Sequence, residues 1–185
     1  GRSTRMGRDK AAIESSGITQ LERAMALLKP LVTRVFVSVR REQRDDALRA
    51  QYPQIVDEPG VISGPIAGIV SAQRAHPECA WLVVACDLPH LDAFTVQTLI
   101  AKRDPARVAT SYRSSSQGLP EPLCAIYEPA AAATLAAFID TGGNCPRKFL
   151  LQSDTLLLDS PNPKALANMN TPADLATLHS GDAPS

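Results

Sequence analysis

The chain has 185 residues, 44% of them hydrophobic, and its 19 Lys+Arg balance its 19 Asp+Glu. That length fits one domain with a substantial buried core, and the balanced charge sets up no overall field that would draw the chain to nucleic acid or to a membrane surface. No apolar stretch is long enough to span a bilayer and the start carries no signal-peptide core, so a cytoplasmic location is expected, with neither nucleic acid nor membrane as partner. The four cysteines, Cys79, Cys86, Cys124 and Cys145, show no Cys-x-x-Cys spacing. Two lie in apolar runs, the pattern of reduced, buried thiols rather than of zinc ligands.

The first element is a loop, Gly1-Arg2-Ser3-Thr4-Arg5-Met6-Gly7-Arg8-Asp9-Lys10. Its glycines let the backbone approach a ligand closely, and successive N–H groups in such a turn form an anion-binding concavity. Neither the Walker spacing nor the dinucleotide Gly-x-Gly-x-x-Gly is present. Thr19 to Leu31 carries a helical stripe (Leu21, Ala24, Met25, Leu27, Leu28) that Pro30 helps to end. Arg34 to Val39 reads as a buried strand, Glu42 to Gln51 as a charged, exposed helix, and Gln54 to Val56 as a short strand stopped by Asp57-Glu58-Pro59-Gly60. Gly64-Pro65-Ile66-Ala67-Gly68 starts a helix with proline in its first turn. Ala80 to Cys86, the most apolar run, suggests a central strand covered on both faces. A helix from Asp92 to Arg103, capped by Asp92, precedes strands near Arg107–Tyr112 and Leu123–Tyr127. A helix near Pro129–Ile139, a strand at Thr155–Leu158 and a helix at Pro172–Leu178 complete the order, and the 181–185 tail is expected to be disordered. Strands alternating with helices imply an α/β three-layer sandwich with a mostly parallel central sheet. A phosphate loop of this kind should follow a strand, so a first strand ahead of Gly1 is expected, and residues 1–180 read as a single domain.

Ligands of such sheets bind beyond the carboxyl ends of the strands, which is where Asp57 and Asp87 fall. Asp87, in Ala85-Cys86-Asp87-Leu88-Pro89, ends a hydrophobic strand where an unpaired carboxylate would be costly. Binding Mg²⁺ together with substrate phosphates answers that cost, because Mg²⁺ takes only one or two protein carboxylates. Lys10 and Arg5 are a point cation and a fork cation suited to polyphosphate, though solvation is the ordinary fate of such side chains. Asp57 either bonds a base or sugar or only initiates a turn. Gly64 and Gly68 either allow close backbone approach or punctuate a loop. His76, His90 and His179 are scattered, without a partner at ligand spacing, and Trp81 reads as core.

The Gly1–Lys10 loop, Gly64-Pro65-Ile66-Ala67-Gly68-Ile69, Ala85-Cys86-Asp87-Leu88-Pro89, Glu121-Pro122-Leu123-Cys124-Ala125-Ile126-Tyr127 and Asn168-Met169-Asn170-Thr171-Pro172-Ala173-Asp174-Leu175 occur in that order. Together they resemble the molybdenum cofactor guanylyltransferases, across nearly the whole chain. The resemblance implies a Rossmann-like nucleotide-diphospho-sugar-transferase fold and Mg²⁺-dependent transfer of GMP from GTP to the terminal phosphate of molybdopterin cofactor, with release of pyrophosphate. It places Arg5, Lys10 and Asp87 in catalysis, with Asp87 holding Mg²⁺. Gly1, Ser3, Gly7, Lys10, Ser38, Asp57, Gly64, Gly68 and Asp87 would line the nucleotide, with Asp57 on the guanosine, and Asn168 and Asn170 would lie on the pterin side. Ser38 stands where relatives often carry an Asn. Molybdoenzymes or cofactor-delivery proteins are the implied protein partners. Two rival readings are a cytidylyltransferase or other small-molecule nucleotidyltransferase of the same fold, and a non-catalytic nucleotide- or cofactor-binding domain.

Overall fold

A computed structural model describes residues 9–15, 17–57, 64–114 and 117–167. The Asp9 carboxylate accepts from Ala11 N and caps a 3-10 turn, Lys10–Ala12. A short hairpin, β1 (Glu14–Ser15) and β2 (Ile18–Thr19), leads into α1 (Gln20–Leu28). Thr-x-x-Glu explains where α1 begins: Thr19 Oγ1 accepts from Glu22 N, and the Glu22 carboxylate accepts from Thr19 N. The stripe read from the sequence is the buried side, with Leu21, Met25 and Leu28 in the core.

Strands β3 (Val37–Val39) and β4 (Gln54–Val56) pair in parallel. The charged stretch between them is not the single helix expected but two separate 3-10 turns, Arg41–Gln43 and Arg49–Gln51. The cause is local competition for the backbone: Gln43 Oε1 accepts from Arg40 N and Asp46 Oδ1 accepts from Arg49 N, so polar side chains restart the chain twice. Helix α2 (Pro65–Ala75) follows Gly64, whose φ of +86° is a left-handed conformation suited to glycine. Then come β5 (Trp81–Val84), α3 (Ala93–Ala101), β6 (Ala109–Arg113), β7 (Pro120–Tyr127), α4 (Ala131–Asp140), α5 (Pro146–Gln152) and β8 (Thr155–Leu158). Asp92 caps α3 as expected, accepting from Thr95 N. The β1–β2 hairpin and α5 are additions to the sequence reading; both are too short to show a hydrophobic period. The helix expected at 172–178 lies outside the described residues.

The larger sheet has the order β5-β7-β6-β8. Strand β7 is antiparallel to both β5 and β6, while β8 is parallel to β6, so β5, β6 and β8 share one direction and β7 alone opposes them. The α/β layering is as expected, with a mixed sheet. Alternation along β7 shows the three layers: Cys124 and Ile126 join the core formed with Leu88, Val96, Leu99 and Leu166 on one face. Ala125 and Tyr127 join the core formed with Ile66, Ile69, Leu135 and Phe149 on the other. Each such fully buried aliphatic side chain stabilises by about 1.5–3 kcal/mol. Both buried tyrosine hydroxyls find backbone acceptors, Tyr112 donating to Thr95 O at 2.8 Å and Tyr127 to Pro122 O at 3.0 Å. Strand β5 packs on both faces as expected, yet all four of its residues are only half-buried. No ladder among the described residues joins it to β3.

Candidate active site

A third core cluster gathers Ala11 of the Lys10 turn, Leu21 and Met25 of α1, and Val37 and Val39 of β3, with Val56 and Cys86 packed against it. It therefore brings the Lys10 turn to the carboxyl ends of β3 and β4 and to the segment just beyond β5. There Lys10 Nζ meets Asp87 Oδ2 at 2.7 Å, the two side chains 23% and 19% exposed. A cation and a carboxylate 77 positions apart are thus paired at the sheet edge where α/β proteins bind ligands. Cys86, next to Asp87, is a spectator: burial, reinforced by the fields of Asp87 and Asp9, pushes its thiol up to about 11.

The second group lies at the ends of β3 and β4. Ser38 Oγ donates to Asp57 Oδ1 at 3.0 Å, and Asp57 N bonds Val39 O at 2.7 Å, continuing the parallel pairing past β4. Burial raises the Asp57 carboxyl above its ordinary value, against the Ser38 bond. Gly68 faces this pair from α2. A Cβ there would press on Ser38 Oγ and stand 3.5 Å from Asp57 Oδ1, so glycine is what lets the helix approach so closely. Gly64 differs: its φ, rather than any crowding, calls for glycine.

Of the residues selected from the sequence, Lys10 and Asp87 are thus brought together, as are Ser38, Asp57 and Gly68. Gly1, Ser3, Arg5, Gly7, Asn168 and Asn170 lie outside the described residues. Two further groups escaped the sequence reading. Arg49 is buried and paired with Asp9, beside Lys10. Glu121 and Arg147 pair at 3.4 Å in the wall of a small cavity, about 70 Å³, shared with Leu88, Pro122, Leu123, Cys124 and Leu166. Burial raises the Glu121 carboxyl, opposed by the Arg147 charge. Their signal is faint: Glu121 opens an apolar strand, and Arg147 lies in the short α5.

Among the described residues, no group of three His, Cys, Asp or Glu side chains could hold a metal ion. Asp87 is a hard oxygen donor of the kind Mg²⁺ takes, and Mg²⁺ is commonly held by only one or two protein carboxylates. No helix among the described residues is long and apolar enough to cross a membrane.

Known proteins resemble this chain in sequence and fold. The molybdenum cofactor biosynthesis bifunctional protein of Synechocystis is 35% identical over 179 residues, covering 97% of this chain and 51% of its own, so the chain spans about half of that protein. The molybdenum cofactor guanylyltransferase of Pseudomonas paraeruginosa is 34% identical over 188 residues, covering 97% of this chain and 90% of its own. Among solved structures, molybdopterin-guanine dinucleotide biosynthesis protein A from Archaeoglobus fulgidus aligns with a TM-score of 0.79 at 25% identity, over 97% of this chain and 93% of that one. Residues 1–156 match the MobA-like NTP transferase domain, and the chain belongs to that family.

Proposed function

We propose that this chain, as one nucleotidyltransferase domain, transfers GMP from GTP to the terminal phosphate of molybdopterin cofactor and releases pyrophosphate. The observation that carries the reading is the 2.7 Å pair of Lys10 and Asp87 beside the end of β5, in a family whose named relatives include guanylyltransferases. The acceptor is a phosphate monoester, already anionic at neutral pH, so the reaction requires no general base. The difficulty is to bring two anions together.

Lys10, with Arg5 from the same loop, binds the triphosphate and offsets its charge. Asp87 holds Mg²⁺, which when bound supplies charge neutralisation and alignment of the leaving pyrophosphate. Asp57, steadied by Ser38, takes the guanosine, and Gly64 and Gly68 allow α2 to lie close to it; Gly1, Ser3 and Gly7 line the phosphates. The acceptor lies on the side of the Glu121–Arg147 cavity. Leu166 lines its wall, and Asn168 and Asn170 are the residues assigned to the pterin.

A panel of GTP, CTP and ATP with molybdopterin and Mg²⁺ tests this by pyrophosphate release. The reading expects release with GTP and acceptor together. Release with CTP instead would make the chain a cytidylyltransferase, and GTP binding without release would make it a non-catalytic binder.

A further inference from the structure

Arg49 is an unusual residue to bury. Its side chain is 8% exposed, in a stretch otherwise charged and open to solvent, and it reaches 40 positions back along the chain. Nη2 bonds Asp9 Oδ2 at 2.6 Å and Nη1 bonds Asp46 Oδ1 at 3.0 Å. Burial works against the guanidinium's charge, but the bonds and fields of the two carboxylates outweigh it and hold its pKa above the ordinary value.

A buried ion pair is poor evidence for stability, since desolvation consumes most of its attraction. What this one does is geometric. Asp9 uses its two carboxylate oxygens for different purposes: Oδ2 takes Arg49, while Oδ1 accepts from Ala11 N at 3.1 Å and caps the turn containing Lys10. Fixing one oxygen fixes the other, and so fixes the turn that aims Lys10 Nζ at Asp87. Asp46 holds the far side of the fork and also accepts from Arg49 N, so the guanidinium cannot swing away. Lysine could not substitute, because a single ammonium lacks the fork that spans two carboxylates.

We infer that Arg49 is a positioning residue for phosphate recognition, acting through Asp9 on Lys10. This rests on the proposal that Lys10 contacts the triphosphate. A merely structural Arg49 would weaken all ligands alike and would act independently of Lys10. A positioning Arg49 weakens GTP but not guanosine, and its effect vanishes once Lys10 is gone.

The test is a binding cycle for GTP with Mg²⁺, and for guanosine, by calorimetry on wild type, Lys10→Ala, Arg49→Met and the double variant. Lys10→Ala should lose roughly tenfold in GTP affinity, the worth of one charge-assisted bond. Arg49→Met should reproduce most of that loss, yet change GTP affinity by less than about twofold in the Lys10→Ala background. Guanosine affinity should hold throughout. Asp9→Asn cuts the same link while its side-chain oxygen still caps Ala11 N; it should show the same coupling, and it serves if Arg49→Met does not fold. If Lys10→Ala leaves GTP affinity unchanged, the phosphate role of Lys10 falls and the inference with it. If Lys10→Ala loses affinity while Arg49→Met and Asp9→Asn are silent, additive with it, or equally harmful to guanosine, the positioning role alone is overturned.

Discussion

Replacing Gly68 by alanine sets two calculable effects against each other. The new Cβ would collide with Ser38 Oγ and sit 3.3 Å from Ser38 Cβ. Ser38 must rotate away, which breaks its bond to Asp57. That loss costs about 0.5–1.5 kcal/mol, toward the low end because the bond is solvent-facing. Alanine gains about 0.5–1 kcal/mol over glycine inside a helix. The terms nearly cancel, so Gly68→Ala should leave the urea midpoint almost unchanged while weakening guanosine, since Asp57 loses the hydroxyl that steadies it. In a Ser38→Ala background the colliding hydroxyl is absent and the helix gain is uncovered. There Gly68→Ala should stabilise by up to about 1 kcal/mol, less what the tight methyl contact removes. Urea unfolding of the four proteins, with guanosine titrations, gives both numbers. Equal destabilisation by Gly68→Ala in both backgrounds would refute the argument, because it would show that the hydroxyl is not what alanine meets.

Leu135, 1% exposed in the α4 core, should cost about 2–5 kcal/mol when cut to alanine, read from chemical unfolding, with GTP affinity per folded molecule unchanged. Asp92→Ala removes the cap of α3 and the 2.7 Å bond from Asn162, and should cost about 0.5–2 kcal/mol at neutral pH. Burial opposes the Asp92 charge, but the bonds from Asn162 and Thr95 outweigh it and hold its pKa below the ordinary 3.8. The wild-type advantage over that variant is therefore full above pH 3.8 and lost as pH falls through the lowered pKa, which melting across an acid series checks. Glu128 has the opposite sign: burial raises its pKa above 4.5 despite Arg103 at 3.0 Å. Relative to Glu128→Gln, wild type should gain stability as pH falls through the raised pKa toward 4.5; an advantage that instead grows with rising pH would contradict this.

How much of this could be read in advance depends on how far each signal travels along the chain. Lys10 and Asp87 were legible because each sits at a recognisable juncture, a glycine loop and the end of an apolar strand, and the α/β rule sends both to one edge. The Asp92 cap was local and followed from one or two neighbours. The split of 42–51 into two turns was not legible, because Gln43 and Asp46 bond the backbone in a way that composition does not distinguish from a polar helix face. Arg49 was lost with it: nothing in a run of arginines marks the one whose partner lies 40 residues away. The reversed β7 was likewise silent, since an apolar strand carries no direction in its pattern.

The central claim concerns Asp87, and pyrophosphate release by Asp87→Ala measures it most directly. The pair with Lys10 is part-exposed and worth only about 0–1 kcal/mol to the fold, so the variant should melt close to wild type. Given GTP, molybdopterin and Mg²⁺, it should release no pyrophosphate above background while the wild type turns over. A well-folded Asp87→Ala protein that releases pyrophosphate at the wild-type rate would contradict the account.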